Sequence, residues 1–197
     1  MPSISCTDAV YQIRRAQAKS ESPFTFDRSF FNWGSDRLFL ALTWPPLKFA
    51  AGDGRQAADL LAFLLQLQGY VGSFYCGILN PDEKYKGSLN TAVTVNEVVS
   101  PRKIKANFSQ TGTGLLKAGN FFSISTGELK IITADVTVSG ATADIEFAPA
   151  IRKTPGAGTQ LNYQTPKGIF RLEEPDTEWS INKLRHYGLS LSAREID

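Results

Sequence analysis

The stretch from Asp53 to Gly77 (DGRQAADLLAFLLQLQGYVGSFYCG) carries a helical period, and the rest of the chain has to be arranged around it. Asp53 stands three residues before Gln56, a capping-box pattern that satisfies orphan amides at a helix start, and Gly69 supplies the left-handed residue that commonly ends one. The spacing predicts a helix over 54–67. At 100° per residue, Ala57, Leu60, Leu61, Phe63, Leu64, Leu65 and Leu67 spread over roughly 220° of its circumference, while Arg55, Asp59 and Gln66 hold a narrow polar stripe. One sheet does not cover so wide an arc. A second cover is expected, from elsewhere in the chain or from a neighbouring subunit. Phe74, Cys76 and Ile78 then alternate with smaller residues, the mark of a strand leaving the helix and entering a sheet.

Residues 1–21 are weakly periodic and read as an arm or irregular strand. Phe24, Phe26 and Phe30 punctuate one run, Leu38, Leu40, Leu42 and Trp44 alternate in another, and WGSD between them reads as the turn of a β-hairpin. Pro45-Pro46 donates no ladder hydrogen bonds and ends the second strand. Asn80-Pro81-Asp82 is a turn signal that opens a tract of different character, with few Leu and no Trp before Pro166. Strands are expected near Thr91–Val99, Lys103–Ser109, Asn120–Ser125, Leu129–Val138, Ala143–Ala148 and Leu161–Tyr163, with Ser139-Gly140 as a hairpin turn. Such a tract suggests a small all-β barrel or sandwich. Beyond it Ile169, Phe170 and Leu172, then Trp179 and Ile181, then Tyr187, Leu189 and Leu191 mark strands that need a partner sheet. The simplest account is a mainly β, α+β chain with one core helix: residues 1–79 and 166–197 form one discontinuous β-domain, and residues 80–165 form an inserted barrel-like domain.

At 197 residues the chain buries roughly 70% of its unfolded surface, and it needs no disulfide or metal staple. Cys6 and Cys76 are far apart and form no CxxC or Cys/His cluster, so reduced thiols are the default and neither a metal nor another cofactor is expected. Residues 1–80 carry seven basic and six acidic groups, 81–165 nine and seven, and 166–197 five and six. No segment has the positive bias that phosphate-backbone binding leaves. The N-terminus lacks a basic-then-apolar leader layout, and the longest apolar run, LLAFLL, is far short of the ~20 residues of a membrane span.

Catalytic signatures are missing. His186, the only histidine, has no serine elbow or metal-ligand spacing around it, and Asp82-Glu83 and Glu173-Glu174 read as solvated loop charge. GTGLLKAG at 112–119 lacks the GK[ST] of a phosphate loop, GDGRQAAD has the wrong acid spacing for a calcium loop, and Asn107-Phe108-Ser109 reads as a chance sequon. No enzymatic activity is expected. One constellation suits a basic groove for single-stranded nucleic acid: Lys84, Tyr85 and Lys86 with Arg102, Lys103, Lys105 and Phe108. Asp82, Glu83 and Glu97 dilute it, and charges at alternating strand positions are commonly just a solvated face.

Several segments, in order, resemble a known family. SPFTF with Trp33-Gly34, LTWPPL, LLAFLLQLQGYVGSFYCG, LLKAGNFFSI, EFAPAIRKTPGAG and GIFRLEEPDTEWSI…YGLSLSARE are similar to the distal tail proteins of long, non-contractile-tailed bacteriophages. The resemblance runs from Ser22 to Glu195 and is weakest over residues 83–110. It implies a virion structural protein of the tail tip, assembled in the bacterial host cytoplasm. It implies a homohexameric ring that joins the tail tube protein and tape-measure protein to the tail hub or receptor-binding protein, with DNA passing through its channel. It also implies a ring-forming domain carrying a variable β-domain. Trp44 stands where the family has a smaller apolar residue, and DEKYKG opens the middle tract in an unfamiliar way. In a ring, Trp44, Leu47, Phe63 and Leu67 are expected at or beside the subunit interface, the other reading being that they complete the subunit's own core. The alternative function is a binding module whose barrel engages host-surface carbohydrate or nucleic acid, with an aromatic groove around Tyr85, Phe108 or Phe121.

Overall fold

The structure, a computed structural model, describes residues 6–48, 55–78, 87–125, 127–183 and 186–196. Among these, fifteen strands and one helix form a mainly β fold built from an antiparallel sheet and a closed six-stranded barrel.

The sheet runs in the order β1 (Asp8–Glu21), β2 (Arg28–Thr43), β15 (His186–Glu195), β13 (Lys167–Leu172), β4 (Phe74–Gly77). Its spine is β15. Tyr187, Leu189, Leu191 and Ala193 alternate with smaller or polar residues; the later half of the strand lies between β2 and β13, and the earlier half pairs β3 (Leu47–Lys48) and β14 (Trp179–Ile181). Residues 8–21, expected as an arm or irregular strand, form a long regular one: Ala9, Tyr11 and Ile13 alternate inward along a 14-residue strand whose partner is β2. WGSD is not a turn. Strand β2 continues through it, and Trp33-Gly34-Ser35 bulges out opposite Ala16 alone. The reversal instead occurs at Ser22–Asp27, where Ser22 N donates to Asp27 O at 3.0 Å and Phe26 N to Ser22 O at 2.9 Å.

The helix α1 (Gln56–Gln66) begins with Arg55 in the capping position and no side-chain cap hydrogen bond; Asp53 lies outside the described residues. It ends as expected, with Gly69 at φ 62° and Gly72 N donating to Leu67 O at 2.7 Å. A Cβ on Gly69 would stand 2.9 Å from Pro175 O, so this position needs glycine for space as well as for φ. Ala57, Leu60, Leu64 and Leu67 are buried, whereas Leu61 and Phe63 are half-buried and Leu65 is 55% exposed. The chain therefore covers one face of the helix, not the full apolar arc. Phe63 packs edge-on against Phe74, with ring centroids 5.6 Å apart.

The barrel closes in the order β11 (Thr142–Ala148), β6 (Lys103–Phe108), β5 (Val93–Ser100), β12 (Gln160–Asn162), β8 (Phe121–Ile124), β9 (Glu128–Ile132), with β9 returning to β11. Phe122 and Phe147 meet edge to face inside it at 5.5 Å. The expected Leu129–Val138 strand is divided: β10 (Val136–Val138) leaves the barrel to pair β7 (Gly112–Leu116). Ser139-Gly140 therefore does not join two laddered strands, and part of the glycine-rich GTGLLKAG is itself a strand.

Sheet and barrel meet across a buried ionic cluster. Glu195, at the end of β15, accepts from Leu129 N of β9 and from Arg152 Nη1, the latter at 2.8 Å. Lys130 Nζ contacts Glu128 and donates to Ala150 O at 2.8 Å. Burial pushes the Glu195 carboxyl up and the Lys130 ammonium down from their ordinary pKa values. For both groups desolvation outweighs pairing. Ile169 N donates to Gly127 O at 2.8 Å across the same seam, where a Cβ on Gly127, at φ 90°, would collide with the end of the Ile169 side chain.

Candidate functional site

From Asp36 onward β2 alternates buried and partly or fully exposed residues; before it, every residue from Arg28 to Ser35 is exposed. The outer part of the β1–β2 hairpin, residues 16–35, is therefore a two-stranded ribbon standing off the sheet. It carries Phe24 (92% exposed), Phe26 (74%), Phe30 (72%), Phe31 (57%) and Trp33 (66%). Adjacent strand residues point to opposite faces, so Phe30 and Phe31 make both faces of the ribbon apolar. Ion pairs of Glu21 with Lys19 and Arg28 and a bond from Gly34 N to Asn32 Oδ1 (2.9 Å) hold its shape. A two-stranded hairpin is marginal alone in water, and a contiguous exposed apolar patch marks an interaction site. Composition carried a signal for this. Residues 22–35 hold five aromatics and no Val, Ile, Leu or Met, which suits an interface better than a core, although the alternation reading took Phe24, Phe26 and Phe30 only as marks of one strand of a hairpin.

The root of the ribbon is pinned to the barrel. Asp36 is buried, and its Oδ2 accepts from Arg102 Nη2 at 2.7 Å; its Oδ1 has no partner. Arg102, a member of the candidate nucleic-acid constellation, ties barrel to sheet. The other described members of that constellation are engaged as well. Lys103 pairs with Asp144 (3.0 Å) and Glu146 (3.4 Å), and Lys105 with Glu97 (2.7 Å); hydrogen bonds to these carboxylates hold both ammonium groups above the usual lysine range. Phe108 is buried in the barrel core, Phe121 packs beside Tyr11 with centroids 5.9 Å apart, and Lys84, Tyr85 and Lys86 lie outside the described residues. No exposed aromatic interleaves the described cations of that constellation, so they make a neutralised face without a stacking platform.

Of the residues expected beside a subunit interface, Trp44, Leu47 and Leu67 are buried in the subunit's own core at 3%, 4% and 5% exposure, and Phe63 is half-buried. The apolar surface that α1 does present is Leu65, continued past its end by Tyr70 (48% exposed) and Val71 (74%). His186 opens β15 opposite Lys48. Among the described residues no group of three or more His, Cys, Asp or Glu side chains is placed to hold a metal ion, and no helix is long and apolar enough to cross a membrane.

No protein-family model matches the chain, and no curated protein matches it. The resemblance to tail proteins rests on the segments quoted above.

Proposed function

We propose that this protein is a virion structural component of the distal tail type, assembling into a ring at the tip of a long-tailed phage. The ring would join the tail tube to the tip and keep a channel open for DNA. The observation that supports an assembly role is the aromatic ribbon. Its five exposed rings leave roughly 600 Å² of apolar surface in water, equivalent to roughly 15 kcal/mol of burial. Association of two proteins costs about 4–15 kcal/mol before any contact is gained, so one ribbon is enough for a usable interface but leaves little surplus. A closed ring, in which every subunit both gives and receives a ribbon, repeats that contact around the circle.

A receiving surface is available. The ribbon belongs to β1 and β2 at one side of the sheet, whereas Leu65, Tyr70 and Val71 end the helix whose Phe63 packs on β4, the strand at the opposite edge. Two different patches on one chain are the requirement for a heterologous, head-to-tail contact, which closes into a ring when the rotation per subunit matches.

Light scattering on a size-exclusion column, across a wide protein-concentration range, tests the reading. A species of about six subunits is expected, reduced to monomer by the combined change Phe30→Ser, Phe31→Ser and Trp33→Ser with circular dichroism unchanged. A monomer at every concentration, or a ring indifferent to those changes, would sink self-assembly through the ribbon.

A further inference from the structure

A second feature, independent of the ribbon, lies at the seam between barrel and sheet. A cleft of about 610 Å³ opens where β8 and β12 of the barrel approach β4 and the start of β13. Its size is that of a small-ligand site. Its chemistry is unusual for this protein's surface. Among the described residues no acidic side chain lines it, Lys167 is its one cation, and amides predominate along its exposed rim, with Asn90, Gln160, Asn162 and Gln164 all contributing. At one side stands the ring of Tyr75, 62% exposed on the edge strand of the sheet.

We infer that this cleft is a binding subsite for a short, neutral saccharide. Each carboxamide offers both donors and acceptors, which matches a hydroxyl that does both, and among the described lining residues Lys167 alone carries a fixed charge, so a neutral ligand meets little charge to desolvate. A phenol ring open on one side presents an apolar face with a polar edge, the surface on which the C–H face of a sugar ring stacks. The rim is held in place before any ligand arrives. Asn162 is clamped to Thr165, accepting from its N–H at 3.0 Å and donating to its carbonyl at 3.0 Å, and the Tyr163 hydroxyl donates to Thr91 O at 2.9 Å. Beside that bond the Thr91 Oγ1 is buried with no hydrogen-bond partner, an unspent polar atom in the wall of the cleft. Other ligand classes fit less well. A nucleic acid brings a phosphate at every step and meets one lysine among the described lining residues. An apolar ligand would strand the amides without partners.

The test is saturation-transfer NMR on the full chain with maltose, lactose, cellobiose and chitobiose as probes, and oligothymidylate as the competing class. Transfer from at least one disaccharide is expected. Tyr75→Ala should weaken that binding by about tenfold or more, and Gln160→Ala by several-fold, with unchanged circular dichroism because both side chains are exposed. A ribbon variant that no longer forms a ring should still bind, which separates this inference from the assembly reading. The inference is overturned by no transfer from any of the four sugars, by transfer that both substitutions leave unchanged, or by displacement of the bound sugar by oligothymidylate.

Discussion

Arg102→Met should destabilise the protein far more than Asp36→Asn, although both break the same 2.7 Å ion pair. The two side chains differ in exposure: 43% for Arg102 and 1% for Asp36. Without Asp36, the guanidinium is still hydrated, and an exposed ion pair is worth about 1 kcal/mol or less. Removing Arg102 leaves a carboxylate buried beside a Met with neither oxygen paired, since Oδ1 already has no partner. Stranding a buried charge costs about 3–5 kcal/mol, and the lower end applies here because the open side of the pair admits water. At about 2–4 °C per kcal/mol for a chain of this length, Arg102→Met should lower Tm by about 6–12 °C and Asp36→Asn by at most about 4 °C. The double variant should be no worse than Asp36→Asn alone, a coupling of about 3 kcal/mol in a thermal or urea unfolding cycle. Because Asp36 is the root of the ribbon, Arg102→Met should also speed amide exchange along residues 28–35, all of them exposed. Equal losses from the two single variants, or additive losses in the double, would show that burial of Asp36 does not govern this contact.

Two further substitutions and a titration follow from burial. Leu67→Glu should act on folding rather than on assembly, because Leu67 is 5% exposed, and urea unfolding should show a loss of about 4 kcal/mol or more. Leu65→Glu, at a site 55% exposed, should leave urea stability within about 0.5 kcal/mol and shift the light-scattering mass instead. Burial, with a smaller contribution from Cys6, pushes the Cys76 thiol up from 9.0 to about 11. Folded protein at pH 8 should therefore label at Cys6 well before Cys76, and urea should make both react alike, as followed by mass spectrometry after iodoacetamide. The folded state keeps the Cys76 proton longer than the unfolded chain does. Its contribution to stability is therefore complete below pH 9 and lost as pH rises toward 11, and Cys76→Ala should flatten that part of the profile.

Much of the architecture is legible locally. Alternation in KIKANF, TADIEFA and KGIFRL marks three strands, and these are β6, β11 and β13 almost residue for residue. The apolar period of α1 and the left-handed Gly69 are likewise carried by neighbours in sequence, because a helix bonds to itself. A period says which face of an element is apolar. It does not say what covers that face, and here the two diverge. Trp44 and Leu67 are covered by the subunit's own sheet and helix, while Leu65, one turn or less away on the same helix, is left in water. Trp33-Gly34-Ser35 has the composition of a turn but becomes a bulge, because the pairing of β1 along both halves of β2 decides the matter and that pairing joins residues far apart. The same holds for the candidate sites. Arg102 looked like a surface cation until the fold set Asp36, 66 residues earlier, against it, and the saccharide cleft exists only where Tyr75 of one unit comes beside Gln160 of the other. Sequence by itself determined the locally periodic elements and the aromatic enrichment of residues 22–35. Tertiary structure decided which charges are neutralised and which apolar residues remain exposed, because burial and pairing depend on long-range neighbours that no local period encodes.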